Sequence, residues 1–277
     1  MEKILLAVDA INPDNNSLEF ACYLGRLTKS KITGVFLENL SIEERPLLKK
    51  VLANADNAGE EVLSKPKEKM ELIEKNISFF EEACINREVN YRLYLDGGNP
   101  AGKLIEESRF ADLLVLDAAM SFHKHYEGIP TEFAREVLKK AECPVIITPE
   151  SFDAIDEIIF SYDSSSSSLF AIKQFTYLFS QLKDKKVTLL QVNESGEWQS
   201  EDKNKFKEWL REHYTDLQFV ALKGKSETVL FDYLFKRKNI FLVMGAYGRT
   251  IISQFLKHSH ADLLMNTITQ PIFIAHK

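Results

Sequence analysis

Residues able to handle phosphate stand together late in the chain. After the apolar run Asn239–Ala246, Gly245 and Gly248 bracket a short loop, Arg249 follows at once, and Ser259 comes eleven residues after Gly248. Glycines allow main-chain N–H groups to approach phosphate oxygens closely, and a serine at a helix start adds a hydroxyl. Lys257, His258 and His260 would extend the positive rim begun by Arg249. Each feature also has a plainer use. A lone GxxG makes turns, and Ser259 with Asp262 reads as a capping box before Leu263 and Leu264.

Other chemistry is weaker. His123-Lys-His125 and His258-Ser-His260 are HxH pairs without a third ligand nearby in sequence, so no metal site is assigned. Cys22, Cys84 and Cys143 are widely spaced, form no CxxC pair, and read as core residues. No nucleophile elbow, Walker A loop, HExxH or GxGxxG after the first strand is present. No catalytic residue is assigned; an ATP-cleaving enzyme is the least favoured reading, with weak ATPase activity left open.

The elements that must position these residues are written twice. KILLAVD (Lys3–Asp9) and EIIFSYD (Glu157–Asp163) are short buried-strand patterns ending in Asp, and each is followed by a polar loop and an apolar-periodic helix. Leu18, Phe20, Ala21, Leu24 and Leu27 mark the first helix; Phe170, Ile172, Phe175, Phe179 and Leu182 mark the second. ITGVFLEN matches VTLLQVNE, the strands closed by Gly97 and Gly224 match, ADLLVLDA matches NIFLVMGA, and CPVII matches QPIFI. The first copy carries about 27 extra residues. We place them near 41–64, where Leu47, Leu48, Val51 and Leu52 fit a short helix expected to cover the ligand side of the first domain. The following helix shows Met70, Ile73, Ile77, Phe80 and Cys84 on one face.

Continuous apolar strands alternating with helices indicate a parallel sheet covered on both faces, hence an α/β fold. The seam at Pro149–Ile155 divides the chain into domains 1–150 and 151–277. In such sheets ligands collect beyond the carboxyl ends of the strands, which selects Asp9, Asp163 and the loops after the fourth strands.

Bulk properties narrow the partners. The 277 residues carry 35 Lys plus Arg against 41 Asp plus Glu, and this mild acidity argues against nucleic acid or an anionic membrane surface. No stretch reaches a membrane span, and three dispersed cysteines suit a reducing compartment, so a cytoplasmic location is expected.

Both halves resemble the universal stress protein domain, in the first-strand Asp, the G-x2-G-x9-G-[S/T] loop and the closing CPV-type strand. The resemblance implies two flavodoxin-like or Rossmann-like domains, each a five-stranded parallel sheet with helices on both faces. It also implies adenine nucleotide, ATP or AMP with Mg, as ligand. Asp163 would then meet the nucleoside, with Gly245, Gly248 and Ser259 at the phosphates and Arg249 and His258 beside them.

Departures from the family pattern are specific. His258 replaces the third glycine of the second copy, while Asp117, Met120 and Pro130 replace all three in the first, leaving only Thr131. The favoured reading is therefore a tandem regulatory stress-response module with one nucleotide site, in its C-terminal half. A nucleotide-free scaffold that binds an unidentified protein partner is the alternative. The resemblance further implies that the last strands pair antiparallel, making an intramolecular pseudo-dimer; a further homodimer is compatible with the sequence.

Overall fold

The computed structural model describes residues 1–39, 60–123, 125–245 and 270–275. Its first five strands are β1 (Lys3–Asp9), β2 (Lys31–Asn39), β3 (Tyr91–Gly98), β4 (Leu113–Leu116) and β5 (Val145–Ile147). The second five are β6 (Glu157–Ser161), β7 (Lys186–Asn193), β8 (Asp216–Lys223), β9 (Ile240–Gly245) and β10 (Ile272–Ala275). All ten join one sheet in the order β3-β2-β1-β4-β5-β10-β9-β6-β7-β8. Each half is thus parallel with the order 3-2-1-4-5. Where the halves meet, β10 runs antiparallel to β5, with Phe273 opposite Ile146.

Alternation along the strands feeds two cores. Ile4, Leu6 and Val8 of β1 point to one face and Leu5 and Ala7 to the other. The first face is covered by α1 (Asn15–Thr28), α2 (Glu60–Asn86), α5 (Ser166–Leu178) and α6 (Ser200–Leu210). The second face is covered by α3 (Pro100–Ser108), α4 (Glu132–Lys140) and α7 (Ser226–Phe235). Burial on both sides is why the strands are apolar throughout rather than alternating.

The first core crosses the seam. Phe175 of α5 lies 4.9 Å from Phe241 and 5.3 Å from Phe273, both edge-on, and Phe20 of α1 reaches Phe241 at 6.4 Å and Phe152 at 5.0 Å. Fully burying a phenylalanine contributes about 1.5–3 kcal/mol, and edge-to-face pairs add roughly 0.5–1.5 kcal/mol. This shared aromatic core, with the β5–β10 ladder, welds the halves together.

The helix after the expected insertion begins at Glu60, inside the stretch assigned to it, and residues 40–59 lie outside the described residues. On that helix Phe80 and Cys84 are buried and Ile73 and Ile77 partly so, but Met70 is 66% exposed. Met70 is therefore not part of the packed face: the register that buries Phe80 and Cys84 leaves the outer turns of α2 beyond the sheet.

Candidate functional site

In each half the strand order reverses between the first and fourth strands, β1/β4 and β6/β9, and in open α/β sheets the ligand crevice is expected at the carboxyl ends there. Asp9 and Asp163 end the first strand patterns on opposite sides of the seam. Their surroundings differ.

In the second half Asp163 is exposed, and its Oδ1 accepts the Ser165 amide at 3.0 Å. Ser164 holds a left-handed backbone at φ 64°, a conformation that costs a non-glycine residue roughly 1 kcal/mol and concentrates at functional sites. Its hydroxyl accepts from Gln191 Nε2 at 3.0 Å. Gln191 is buried, and its Oε1 has no hydrogen-bond partner among the described residues. Ser165 caps α5 by accepting the Ser168 amide at 3.1 Å, so the positive end of that helix faces the crevice. Tyr162 stacks on Trp198 at 5.8 Å with nearly parallel planes, at the edge of the first core. Burial raises the Tyr162 phenol above its usual range, and its hydroxyl donates to Asp202 Oδ2 at 3.0 Å.

Gly245 ends β9 directly under that helix. A Cβ placed there would stand 2.4 Å from the Ser168 amide nitrogen and 2.6 Å from the Ser167 carbonyl carbon, both backbone. Glycine is thus required by the close approach of α5, a reason independent of any ligand. Gly248, Arg249, His258 and Ser259 lie outside the described residues. Of the six residues assigned from sequence, Asp163 and Gly245 are brought to one crevice. The serine run Ser164–Ser168 reads from sequence as a solvated loop that could border a ligand, but Ser166–Ser168 form the first turn of α5; Gln191 and the Tyr162–Trp198 pair carry no local sequence signal, because they meet through long-range contacts.

In the first half the corresponding groups are engaged with one another. Strand register places Asp117 where the second half has Gly245. Its carboxyl is pushed up to about 6, mainly by burial and further by the carboxylates of Asp14 and Glu150, against one amide bond from Ala119 at 2.8 Å. Thr131 is buried and satisfied: it caps α4 by accepting the Ala134 amide at 3.2 Å, and it donates to the Met120 carbonyl. Met120 is buried. Asp9 Oδ1 accepts two amides, from Ile11 at 2.8 Å and Asn12 at 3.1 Å. Asn76 of α2 ties the same loop by donating to the carbonyls of Ala10 and Ile11 at 2.9 and 3.0 Å. An anion here would meet carboxylates and hydrogen bonds already made.

Comparison with solved structures identifies the fold. A universal stress protein from Archaeoglobus fulgidus superposes with a TM-score of 0.60 at 16% identity, covering 99% of this chain and 98% of that one. A candidate universal stress protein of Pseudomonas aeruginosa gives 0.53 at 10% identity, over 100% of this chain and 93% of that one. A functionally unknown protein of Pseudomonas aeruginosa gives 0.54 at 11% identity, over 100% and 92%. No family model and no curated protein matches the chain. At these identities the likeness concerns the fold, which is that of the universal stress proteins over the whole length.

Proposed function

We propose that this chain, with the universal stress fold written twice, is a regulatory stress-response module that binds one adenine nucleotide, ATP or AMP, in its C-terminal half. The observation that carries the reading is the asymmetry of the two crevices. The second has an exposed Asp163, a strained Ser164 and an uncharged cap, Ser165, on α5, whereas the first has Asp117 in place of Gly245, an acidic cap, Asp14, on α1, and a self-satisfied Thr131. Phosphates sit well at a helix N-terminus, and a carboxylate suits ribose hydroxyls. Gly248, Arg249, His258 and Ser259 are assigned to the phosphate side, with Mg accompanying ATP. Domain limits of 1–150 and 151–277 and a cytoplasmic location belong to the same proposal. Among the described residues, no helix is long and apolar enough to cross a membrane.

Mass spectrometry of nucleotide released by denaturing freshly purified protein tests the proposal, followed by calorimetric titration of ATP and AMP into the intact chain. One site per chain is expected, weakened roughly tenfold, or about 1.4 kcal/mol, by Asp163→Ala. The absence of bound and titratable nucleotide would hand the case to the scaffold reading. Steady-state phosphate release above background would instead make the protein an ATP-cleaving enzyme.

A further inference from the structure

The loop between β4 and α4 replaces the phosphate loop in the first half, and it gathers metal-ligating groups. His123 Nε2 lies 3.7 Å from Glu127 Oε1 and 3.9 Å from Glu132 Oε2. All three donor atoms fall within 4.8 Å of one another. Glu127 stands four residues after His123, but no helix runs between them; the fold of the loop brings it and the more distant Glu132 to the imidazole. The His125 ring lies 5.4 Å from that of His123, close enough to offer a further nitrogen.

Two features separate this cluster from a chance meeting of surface charges. The Glu127 side chain is only 5% exposed, and among the described residues its ion-pairing partner is His123. Removing a carboxylate from water is costly unless a cation meets it. Its orientation is also fixed: Ser121 Oγ donates to Glu127 Oε2 at 2.6 Å and accepts the His123 amide at 3.1 Å. One carboxylate oxygen is thereby held, and the other faces His123. Zinc–ligand bonds of about 2.0–2.2 Å arranged tetrahedrally put neighbouring donors about 3.3 Å apart. The two short edges therefore need to contract by about half an ångström.

We propose that His123, Glu127 and Glu132 bind one divalent transition-metal ion, zinc by preference, with the fourth position open to water or His125. An imidazole favours a borderline ion over magnesium or calcium, and the absence of thiolate disfavours copper(I). Two carboxylates balance the charge of a divalent ion. Glu132 opens α4, so the ion staples the loop to that helix and fixes the part of the first half that lost its nucleotide pattern.

The test is a titration of zinc alone into the chelator-stripped intact chain against a chromophoric indicator. One tight site per chain is expected. Glu132→Gln, on a side chain 72% exposed and so safe for folding, weakens zinc at least tenfold; His123→Ala weakens it further; His213→Ala, in the other half, leaves it unchanged. Zinc raises the melting temperature of the parent protein and not of Glu132→Gln. Cobalt in the same site gives a spectrum without thiolate charge transfer, which separates it from Cys22, Cys84 and Cys143. Equal zinc affinity in parent and Glu132→Gln, or a thiolate band, overturns the proposal.

Discussion

The ends of β4 and β9 occupy equivalent places in the two halves and have taken opposite solutions. Under β9 the first turn of α5 comes so close that only Gly245 fits; beyond β4 the chain accommodates the side chain of Asp117. The first turn of α1 therefore stands farther from its strand than α5 does from β9. A repeated sheet fixes where a crevice lies, but the fit of one helix turn decides what occupies it. The next position along makes the same point. Phe36 of the first half packs edge-on to Phe80 at 5.6 Å, while its second-half counterpart is the amide Gln191, reaching up to Ser164.

Exchanging residues between the halves should break this comparison most severely at Gly245. Gly245→Asp, which copies the first half, drives a Cβ into backbone and is expected to cost about 3 kcal/mol of stability, read as a lower urea midpoint. A loss of nucleotide binding in this variant would follow from the packing alone, so Asp163 is the cleaner probe of the ligand.

Asp117→Asn should act with the opposite sign. The folded-state carboxyl titrates near 6 against an ordinary value of 3.8, so the native protein binds the extra proton between those values. Stability then falls as pH rises from about 4 to 6, and the full penalty holds above 6. Asp117→Asn is expected to gain about 2 kcal/mol at neutral pH and to flatten that part of the pH–stability profile, measured by denaturation at a series of pH values.

Thr131→Ala removes a helix cap and a buried donor, with an expected loss of about 1.5 kcal/mol in thermal or urea unfolding. Asp9→Ala, which strips two loop amides of their acceptor, should cost about 1 kcal/mol and leave nucleotide titration unchanged. Smallest of all, Ser164→Gly should stabilise the fold by about 0.5 kcal/mol, because relief of the left-handed backbone is partly offset by the lost contact with Gln191. A stabilised Ser164→Gly protein that binds ATP less well would tie the strain to the ligand; unchanged affinity would detach it.

The architecture was legible because burial on both faces writes itself as uninterrupted apolar runs, as in ILLAV and FLVM, and because the repeat supplied each strand a second time. The amphipathic helix before β3 was legible in Phe80 and Cys84 but not in Met70, since periodicity says which residues share a stripe and not where the sheet beneath it ends. Site residues fared differently. The position of Asp163 just after the first strand of its half is local, closing an apolar segment, and could be read directly. The packing role of Gly245 depends on how near a helix from elsewhere in the chain passes, and no spacing encodes that distance. The meeting of His123 with Glu132 was invisible for a related reason: it depends on how a loop without periodic structure returns to the start of α4.

The antiparallel join between β5 and β10 carries a consequence for dilution. Two separate domains held by one short ladder would fall apart as their concentration dropped, and their unfolding midpoint would drift with it. Here the few residues between Ile147 and Glu157 keep each half within reach of the other, an effective concentration on the order of millimolar that no dilution alters. The midpoint of unfolding is therefore expected to stay constant across a wide range of protein concentrations. A crevice bearing Asp117 is then always partnered with one bearing Gly245, and two Gly245 crevices never meet across this seam.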